Sequence, residues 1–482
     1  MSPKCGFRLL AAALLGVLAG TSAAFALDLF AEPEFHPVGD LPIGLAAGDL
    51  DGNLLPELVV ANRGSADLSI VWNAGGPSPV ETRVVVGGVP RRVAVGDLNG
   101  DDQPDLAVGR ESSPTPLVLL MNRGNGTFDP PVALGSHSLF PDALWIGDLD
   151  QDSDRDLVFA SAPSNMIVVF LNDGSGQFTE TVYPTDTSPS YPSDLAVGDA
   201  DDDGDLDLLV TASLSTHPPV LFLNLGNGTF APYVTFTGVT VDFISAAVGD
   251  LALDGAADLT LLNFSASVLA VFPHEGGGSY GTPTHFPIGA TTQPGGSVRL
   301  ADLDLDGRLD AAIGLALQNP AIPVLLGNES GGFGAPTSYA TGAGGIAALT
   351  LVDLDSDGDR DIAATSANQD VLVCLENLAE GSTAVPPPGE ANGFFFAPPQ
   401  PNPGRTPAIT FHLPRPAYVR LSVHNVAGRT IARLLEDYRP AGRNEVEWRG
   451  TLPEGGQAPA GVYYLRLETD GFEGQQRVVL TR

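Results

Sequence analysis

GDADDDGDLDLLV occupies residues 198–210, and six further segments repeat its pattern. They are GDLDGNLLPELVV (48–60), GDLNGDDQPDLAV (96–108), GDLDQDSDRDLVF (147–159), GDLALDGAADLTL (249–261), ADLDLDGRLDAAI (301–313) and VDLDSDGDRDIAA (352–364). The leading acids, from Asp49 to Asp353, are separated by 48, 51, 51, 51, 52 and 51 residues. A period this regular marks a repeat architecture in which each unit is one supersecondary element. Around every Asp segment the surroundings also repeat. A short apolar run such as Arg92–Val95 leads in, and a second follows at Asp105–Gly109. A third, such as Leu117–Asn122, ends in a Gly-rich turn and a Phe, as in NRGNGTF (122–128), NDGSGQF (172–178), NLGNGTF (224–230) and GNESGGF (327–333). Glycine and asparagine supply the positive φ of tight hairpins, and the Phe opens a fourth strand. Four short strands per unit, seven times over, predict an all-β fold: a seven-bladed β-propeller.

The last unit stops after Val371–Asn377, without its Gly-turn-Phe strand. The segment FAEPEFHPVGDLPIG (30–44) reads as that missing strand followed by the lead-in to the first unit, so the two ends complete one blade and close the ring.

The Asp segments carry the chemistry. The fullest copies read D-x-D-x-D-x-x-x-D, which places side-chain oxygens at positions one, three, five and nine. A loop alternating ligand and spacer can turn these hard oxygens inward around calcium, with the position-seven carbonyl (that of Asp205 in the fourth unit) adding another. The predicted ligands are Asp148, Asp150, Asp152 and Asp156 in unit three, and Asp199, Asp201, Asp203 and Asp207 in unit four. Units six and seven supply Asp302, Asp304, Asp306, Asp310 and Asp353, Asp355, Asp357, Asp361. Unit two offers Asp97, Asn99, Asp101 and Asp105; unit one offers Asp49, Asp51, Asn53 and Glu57. Unit five has Ala252 at position three, leaving Asp250, Asp254 and Asp258. A lone Asp-Gly turn binds nothing as a rule. Here converging carboxylates repel by about 1 kcal/mol per pair in water and about 4 near a protein surface, a cost that cations offset.

These loops and the N-x-G-x-G-x-F turns resemble FG-GAP/VCBS repeats, the blades of integrin α-subunit heads and of many secreted bacterial proteins. The resemblance spans about 27–380. It implies a calcium-loaded propeller used for binding and names no ligand.

The 482 residues are 43% hydrophobic, with 57 Gly and 41 Pro, which suits many turns and large cores. Residues 1–26 read as a secretory signal: Lys4 and Arg8, the apolar Leu9–Gly20, then Ala24-Phe25-Ala26. Beyond it Cys374 is the single cysteine, so no internal disulfide is available and metal ions become the expected staples. Net charge is −35, and 50 of the 58 acids fall in residues 27–390 against 10 Arg. Such a body repels nucleic acid and anionic membranes. No later stretch is long and apolar enough for a transmembrane segment. From 391 onward 11 Arg meet 8 acids, and the linker AEGSTAVPPPGEANG (379–393) separates this part from a propeller at 27–378.

Residues 394–482 hold strand-like runs at 408–413, 418–425, 445–449, 461–468 and 475–480, the pattern of a small β-sandwich. PNP (401–403), ITFHLP (409–414), VRLSVHNVAGR (419–429) and GVYYLRL (461–467) resemble the FlgD-like immunoglobulin fold and the C-terminal sorting domains of type IX secretion. That resemblance implies recognition by outer-membrane export machinery and delivery to the cell surface or medium.

None of His36, His137, His217, His274, His285, His412 and His424 sits in HExxH or in a close pair with metal-ligand spacing. No GxSxG elbow appears, and Cys374 lies in the apolar run VLVCLEN. Trp72 and Trp145 do not recur at one blade position, so packing is their expected use. The sequence therefore reads as a non-enzymatic surface or secreted adhesion scaffold for an extracellular protein or polysaccharide. A carbohydrate-active enzyme or lectin built on the propeller is the rival reading.

Overall fold

Second strands carry the architecture. Glu57–Asn62, Asp156–Ser161, Asp207–Ala212, Asp258–Asn263 and Asp361–Ser366 are buried along their whole length. A strand buried on both faces is flanked by packed layers on each side, and its apolar residues run on without alternation. In this computed structural model the described residues are 29–482 apart from 77, 112–114, 137–138, 186–191, 213–217, 237–241, 264, 290–295, 317–319, 380–394, 397–407, 414–416, 426–428, 440–441, 451–456, 460, 470–471 and 481–482. The expected signal (1–26), the linker beyond Ala379, Pro401–Pro403, His137 and His217 lie outside them.

The chain divides into two compact units, Met1–Ser382 and Thr383–Arg482. Among the described residues, the first contains seven four-stranded antiparallel sheets. Sheet one runs Pro42–Gly48, Glu57–Asn62, Asp67–Trp72 and Val80–Val85, each strand paired with the next. Sheets two to six follow the same order, with first strands at Val89–Gly96, Pro141–Gly147, Pro192–Gly198, Phe243–Gly249 and Val298–Ala301. Sheet seven is built from Ile346–Val352, Asp361–Ser366 and Val371–Leu375, and its fourth strand is the N-terminal Glu34–Pro37. Its register pairs Glu34 with Cys374 and Pro37 with Val371. An isolated bridge between Phe30 and Asn377 extends the seam. Each first strand contacts the first strand of the next sheet, and those of sheets seven and one also meet, so the ring closes.

Packing between neighbouring sheets supplies the core. Val59, Ala61 and Ile70 of sheet one pack with Leu106, Val108 and Val118 of sheet two. Trp72 joins this cluster, and Trp145 joins the one between sheets three and four, so both tryptophans pack between sheets. The indole of Trp72 lies where a Cβ on Gly126 would approach within 2.8 Å, at φ +73; glycine alone fits this hairpin against its neighbour. The outer strand Val80–Val85 is almost wholly exposed. In six of the seven sheets the first strand has a register shift near its start, as between Pro42 and Gly44 or between Pro192 and Asp194. Such bulges add local twist where the strands crowd toward the axis.

The second unit pairs a three-stranded sheet (Phe395–Phe396, Ala408–Leu413, Gly442–Glu447) with a four-stranded one (Ala417–Asn425, Thr430–Arg439, Gly461–Thr469, Phe472–Leu480). Phe411, Val419, Leu421, Leu465 and Trp448 fill the space between them.

Candidate metal centres

Every Asp loop follows the first strand of its sheet and leads into the buried second strand. Its backbone is fixed by two left-handed residues, at loop positions four and six. Position four is Gly52, Gly100, Gln151, Asp202, Leu253, Leu305 or Ser356; position six is Leu54, Asp102, Ser153, Gly204, Gly255, Gly307 or Gly358, with φ from 55° to 105°. A branched side chain in this conformation costs roughly 1–2 kcal/mol, yet Leu54, Leu253 and Leu305 adopt it. The loop shape is therefore imposed by the fold in all seven sheets.

Position one turns the loop on itself. Asp97 Oδ1 accepts from the amides of Gly100 (2.8 Å) and Asp101 (3.2 Å), and its Oδ2 from Asp102 (2.7 Å). Asp302 receives Asp306 N at 3.0 Å and Gly307 N at 2.9 Å in the same way. With the loop so wound, three carboxylates converge. Ligand atoms of Asp148, Asp150 and Asp152 lie within 4.8 Å of one another. The same holds for Asp199, Asp201, Asp203, for Asp302, Asp304, Asp306, and for Asp353, Asp355, Asp357. In loop one the group is Asp49, Asp51 and Glu57. Among the described residues loops two and five form no such group of three: Asn99 stands at position three in one, Ala252 in the other.

Position nine behaves differently from the other three expected ligand positions. Asp105, Asp156, Asp207, Asp310 and Asp361 are at most 1% exposed. Each carboxylate receives at least two backbone amides, and Asp310 a third from Asp304 N at 3.3 Å. Asp105 takes Leu98 N (3.0 Å) on one oxygen and Asn122 N (2.7 Å) on the other. Asp361 takes Leu354 N and Asn377 N, both at 2.7 Å. This residue thus ties its loop to the end of the third strand, and it stands outside the three-carboxylate groups of loops three, four, six and seven. Asp258 keeps the same two bonds, to Leu251 N and His274 N, although loop five lacks its second ligand. Glu57 reaches only Leu50 N, at 2.7 Å.

Burial, with the amide bonds opposing it and neighbouring loop carboxylates adding to it, pushes Asp105, Asp156 and Asp207 up to about 6, and Glu57, Asp310 and Asp361 up to about 7. Burial followed by repulsion from Asp152 or Asp203 also raises Asp150 and Asp201. Several oxygens in these loops are shut away from solvent with no hydrogen-bond partner: Glu57 Oε1, Asp148 Oδ1, Asp150 Oδ1, Asp201 Oδ1 and Asp353 Oδ1. A buried anionic oxygen without a donor is strongly unfavourable unless a cation meets it. The donor set is all oxygen, which suits a hard cation. Five of the seven loops could hold a metal ion on these grounds.

Neighbouring loops are latched together by a residue that the sequence marks only as a turn former. Asn122 Nδ2 donates to Pro104 O in its own loop (3.0 Å) and to Leu50 O in the preceding one (2.8 Å). Asn172 bridges Arg155 O and Leu98 O, Asn224 bridges Leu206 O and Leu149 O, and Asn377 bridges Arg360 O and Leu303 O. Sheet five has His274 at this place, which lies 3.2 Å from Asp202. There the hydroxyl of Tyr280, which replaces the motif Phe, spans Ala200 O (2.9 Å) and Ala257 O (3.3 Å). The donor has moved from one residue of the motif to another. Tyr280→Phe is expected to destabilise the ring by about 1–2 kcal/mol in a denaturant titration, the cost of taking the hydroxyl proton away from these carbonyls.

The histidines and Cys374 form no catalytic grouping among the described residues. Cys374 is buried, and burial pushes its thiol far above the ordinary range. No helix among the described residues is long and apolar enough to cross a membrane.

Comparison with known proteins bears on the fold. No curated protein resembles the chain closely enough to be counted as a relative. A crystal structure of BBS1N in complex with ARL6DN, soaked with lead, is similar in fold at 12% identity and a TM-score of 0.50, covering 72% of this chain and 96% of that one. A weaker likeness, at 18% identity and a TM-score of 0.45 over 69% of this chain and 88% of that one, is to an Agrocybe aegerita lectin described as recognising non-reducing terminal N-acetylglucosamine. Residues 402–471 match the FlgD Ig-like domain, and residues 49–108, 97–159 and 148–210 each match the FG-GAP-like repeat.

Proposed function

We propose that this protein is an exported, calcium-loaded seven-bladed β-propeller that works as a surface or secreted binding and adhesion scaffold, without enzymatic activity. The observation that carries the calcium reading is the convergence of three carboxylates in loops three, four, six and seven, with buried oxygens left unpartnered in three of them. Calcium takes six to eight oxygen ligands in flexible geometry, and these loops offer carboxylates and backbone carbonyls without nitrogen or sulfur. Zinc and copper sites favour imidazole and thiolate instead. With a single cysteine beyond the predicted signal, the ions take the part that disulfides play in other exported proteins.

The binding role rests on the FG-GAP-like repeats and on a ring whose variable loops project from a rigid scaffold. The C-terminal FlgD-like module serves export or surface attachment. Deleting 394–482 in the native cell should leave the ring in the periplasm; unchanged export would reject this role. The scaffold reading is tested by passing calcium-loaded protein over immobilised surface polysaccharides and extracellular proteins. Retention that chelator reverses supports it. Hydrolysis of a polysaccharide in the same panel would assign the chain to the enzymes.

A further inference from the structure

The first strands carry a second cluster of charge toward their starts, away from the Asp loops that follow their ends. Arg91 and Arg92 lie in the first strand of sheet two, Asp142 in that of sheet three, Asp194 in that of sheet four and Arg299 in that of sheet six. Arg92 reaches both neighbouring sheets. Its Nε donates to Asp142 O (2.7 Å) in sheet three, and its Nη1 to Ile43 O (3.0 Å) in sheet one and to Arg91 O (3.0 Å). The charged groups acting on it are Arg91, Asp142, Asp194 and Arg299. Sheets two, four and six are not neighbours in the ring, so these charges meet across its axis.

Most of the cluster is paired. Arg91 meets Glu111 (2.6 Å) and Asp142, and Arg63 meets Glu111 from sheet one (2.9 Å). Asp194 accepts from Ser245 Oγ (2.5 Å) and stands 3.7 Å from Arg299 Nη1. Arg63, Arg91, Arg92 and Arg299 thus face Glu111, Asp142 and Asp194, which leaves one positive charge in excess. Arg92 is the arginine without a carboxylate of its own, since its hydrogen bonds all go to carbonyl oxygens. Arg299 Nη1 donates to Val298 O (2.7 Å). Among the described residues Arg92 Nη2 and the Nε and Nη2 of Arg299 make no hydrogen bond, and both side chains are only half-buried.

We propose that this end of the ring's axis binds a singly charged carboxylate ligand, held by the free N–H groups of Arg92 and Arg299. The Nε–Nη2 edge of a guanidinium matches the two oxygens of a carboxylate in a pair of parallel bonds, and Arg299 has that edge free. One excess charge is balanced by one carboxylate, whereas a phosphate dianion would leave a negative charge beside Asp142 and Asp194. The assignment rests on the reading of the ring as a binding scaffold and names the chemistry of one ligand.

The test is a titration of calcium-loaded, full-length protein with D-glucuronate, D-glucose and inorganic phosphate, read by calorimetry at low salt. Glucuronate is expected to bind, glucose to give no heat, and phosphate to bind more weakly than glucuronate. Arg299→Gln should weaken glucuronate about tenfold, the worth of one charge-assisted hydrogen bond. Arg92→Gln should do the same, but it also removes the bonds to Asp142 O and Ile43 O, so its melting curve is recorded beside the titration. Arg299 donates only to its neighbour's carbonyl, and its variant decides the matter if Arg92→Gln fails to fold. Arg123→Gln, which breaks an exposed pair with Asp129, should leave the affinity unchanged. Equal glucuronate affinity in wild type and Arg299→Gln overturns the proposal, and so does phosphate binding more tightly than glucuronate. A wild type that retains polysaccharides or proteins but gives no heat with glucuronate also overturns it, while leaving the scaffold reading in place.

Discussion

Chelation with EGTA is expected to lower the melting temperature of the ring by about 15 °C, and added calcium to restore it. The size follows from linkage. An ion present at a hundred times its dissociation constant stabilises the folded state by about 2.7 kcal/mol, so the four loops with three Asp at positions one, three and five contribute about 11 kcal/mol. Unfolding entropy of about 2.1 cal/mol/K per residue, over a ring of roughly 350 residues, converts this to about 15 °C. Differential scanning calorimetry with and without chelator reads it directly. A melting curve indifferent to EGTA would remove the ions from any account of stability. Loops two and five lack a three-carboxylate group, so stability should follow the filling of the other loops.

The second large effect is in pH. Without metal, the ring should be most stable in mildly acidic solution and lose stability from pH 5 to pH 8. The position-nine acids have folded values above their unfolded ones: about 6 for Asp105, Asp156 and Asp207, about 7 for Asp310 and Asp361, against an ordinary 3.8. Between those limits the folded state binds more protons than the unfolded chain, so stability falls as pH rises. The contribution of each group is complete below about pH 4 and gone above pH 7. At about 1.4 kcal/mol per unit, a single group accounts for on the order of 3 kcal/mol. Calcium reverses the sign, because ions bind the ionised carboxylates and their affinity grows with pH. Melting curves at pH 5 and pH 8, with calcium and with EGTA, give four values whose ordering checks both statements. If the metal-free protein is as stable at pH 8 as at pH 5, the buried acids are ionised without penalty and the explanation fails.

The convergence of carboxylates at positions one, three and five could be read in the chain because alternate residues of a tightly wound loop turn to one side, a pattern that sequence records directly. The Gly-turn-Phe motif was legible for a similar reason: positive φ restricts the choice of residue at Gly124, Gly126, Gly226 and Gly228. The N-terminal strand was legible as the piece missing from the last unit, and Glu34–Pro37 pairs there with Val371–Cys374. Less was visible where one residue type serves two purposes. The sequence marks Asp105 and Asp361 as ligands equal to the others, whereas their oxygens also hold backbone amides in the interior. Asn122 looks like a turn residue, and its reach to Leu50 O, 72 residues away, depends on how the neighbouring sheet packs. Tyr280 shows the limit most clearly. A Phe-to-Tyr exchange looks conservative until the missing Asn of the same unit is placed beside it. The burial of Asp359, at a position that is partly exposed in the other six loops, has no local signature at all.

The closing seam has a mechanical consequence when the two ends of the ring are pulled apart. Phe30 bridges Asn377, and Glu34 pairs with Cys374, so the ring's incoming and outgoing chain ends lie together at one end of this antiparallel pair. Tension between the two termini therefore loads the seam as a zipper. Its hydrogen bonds open one after another from Phe30 toward Pro37, and do not share the force as they would in shear. The seven sheets form an unbroken circle, yet under load this circle has one point of first failure, at its own buckle.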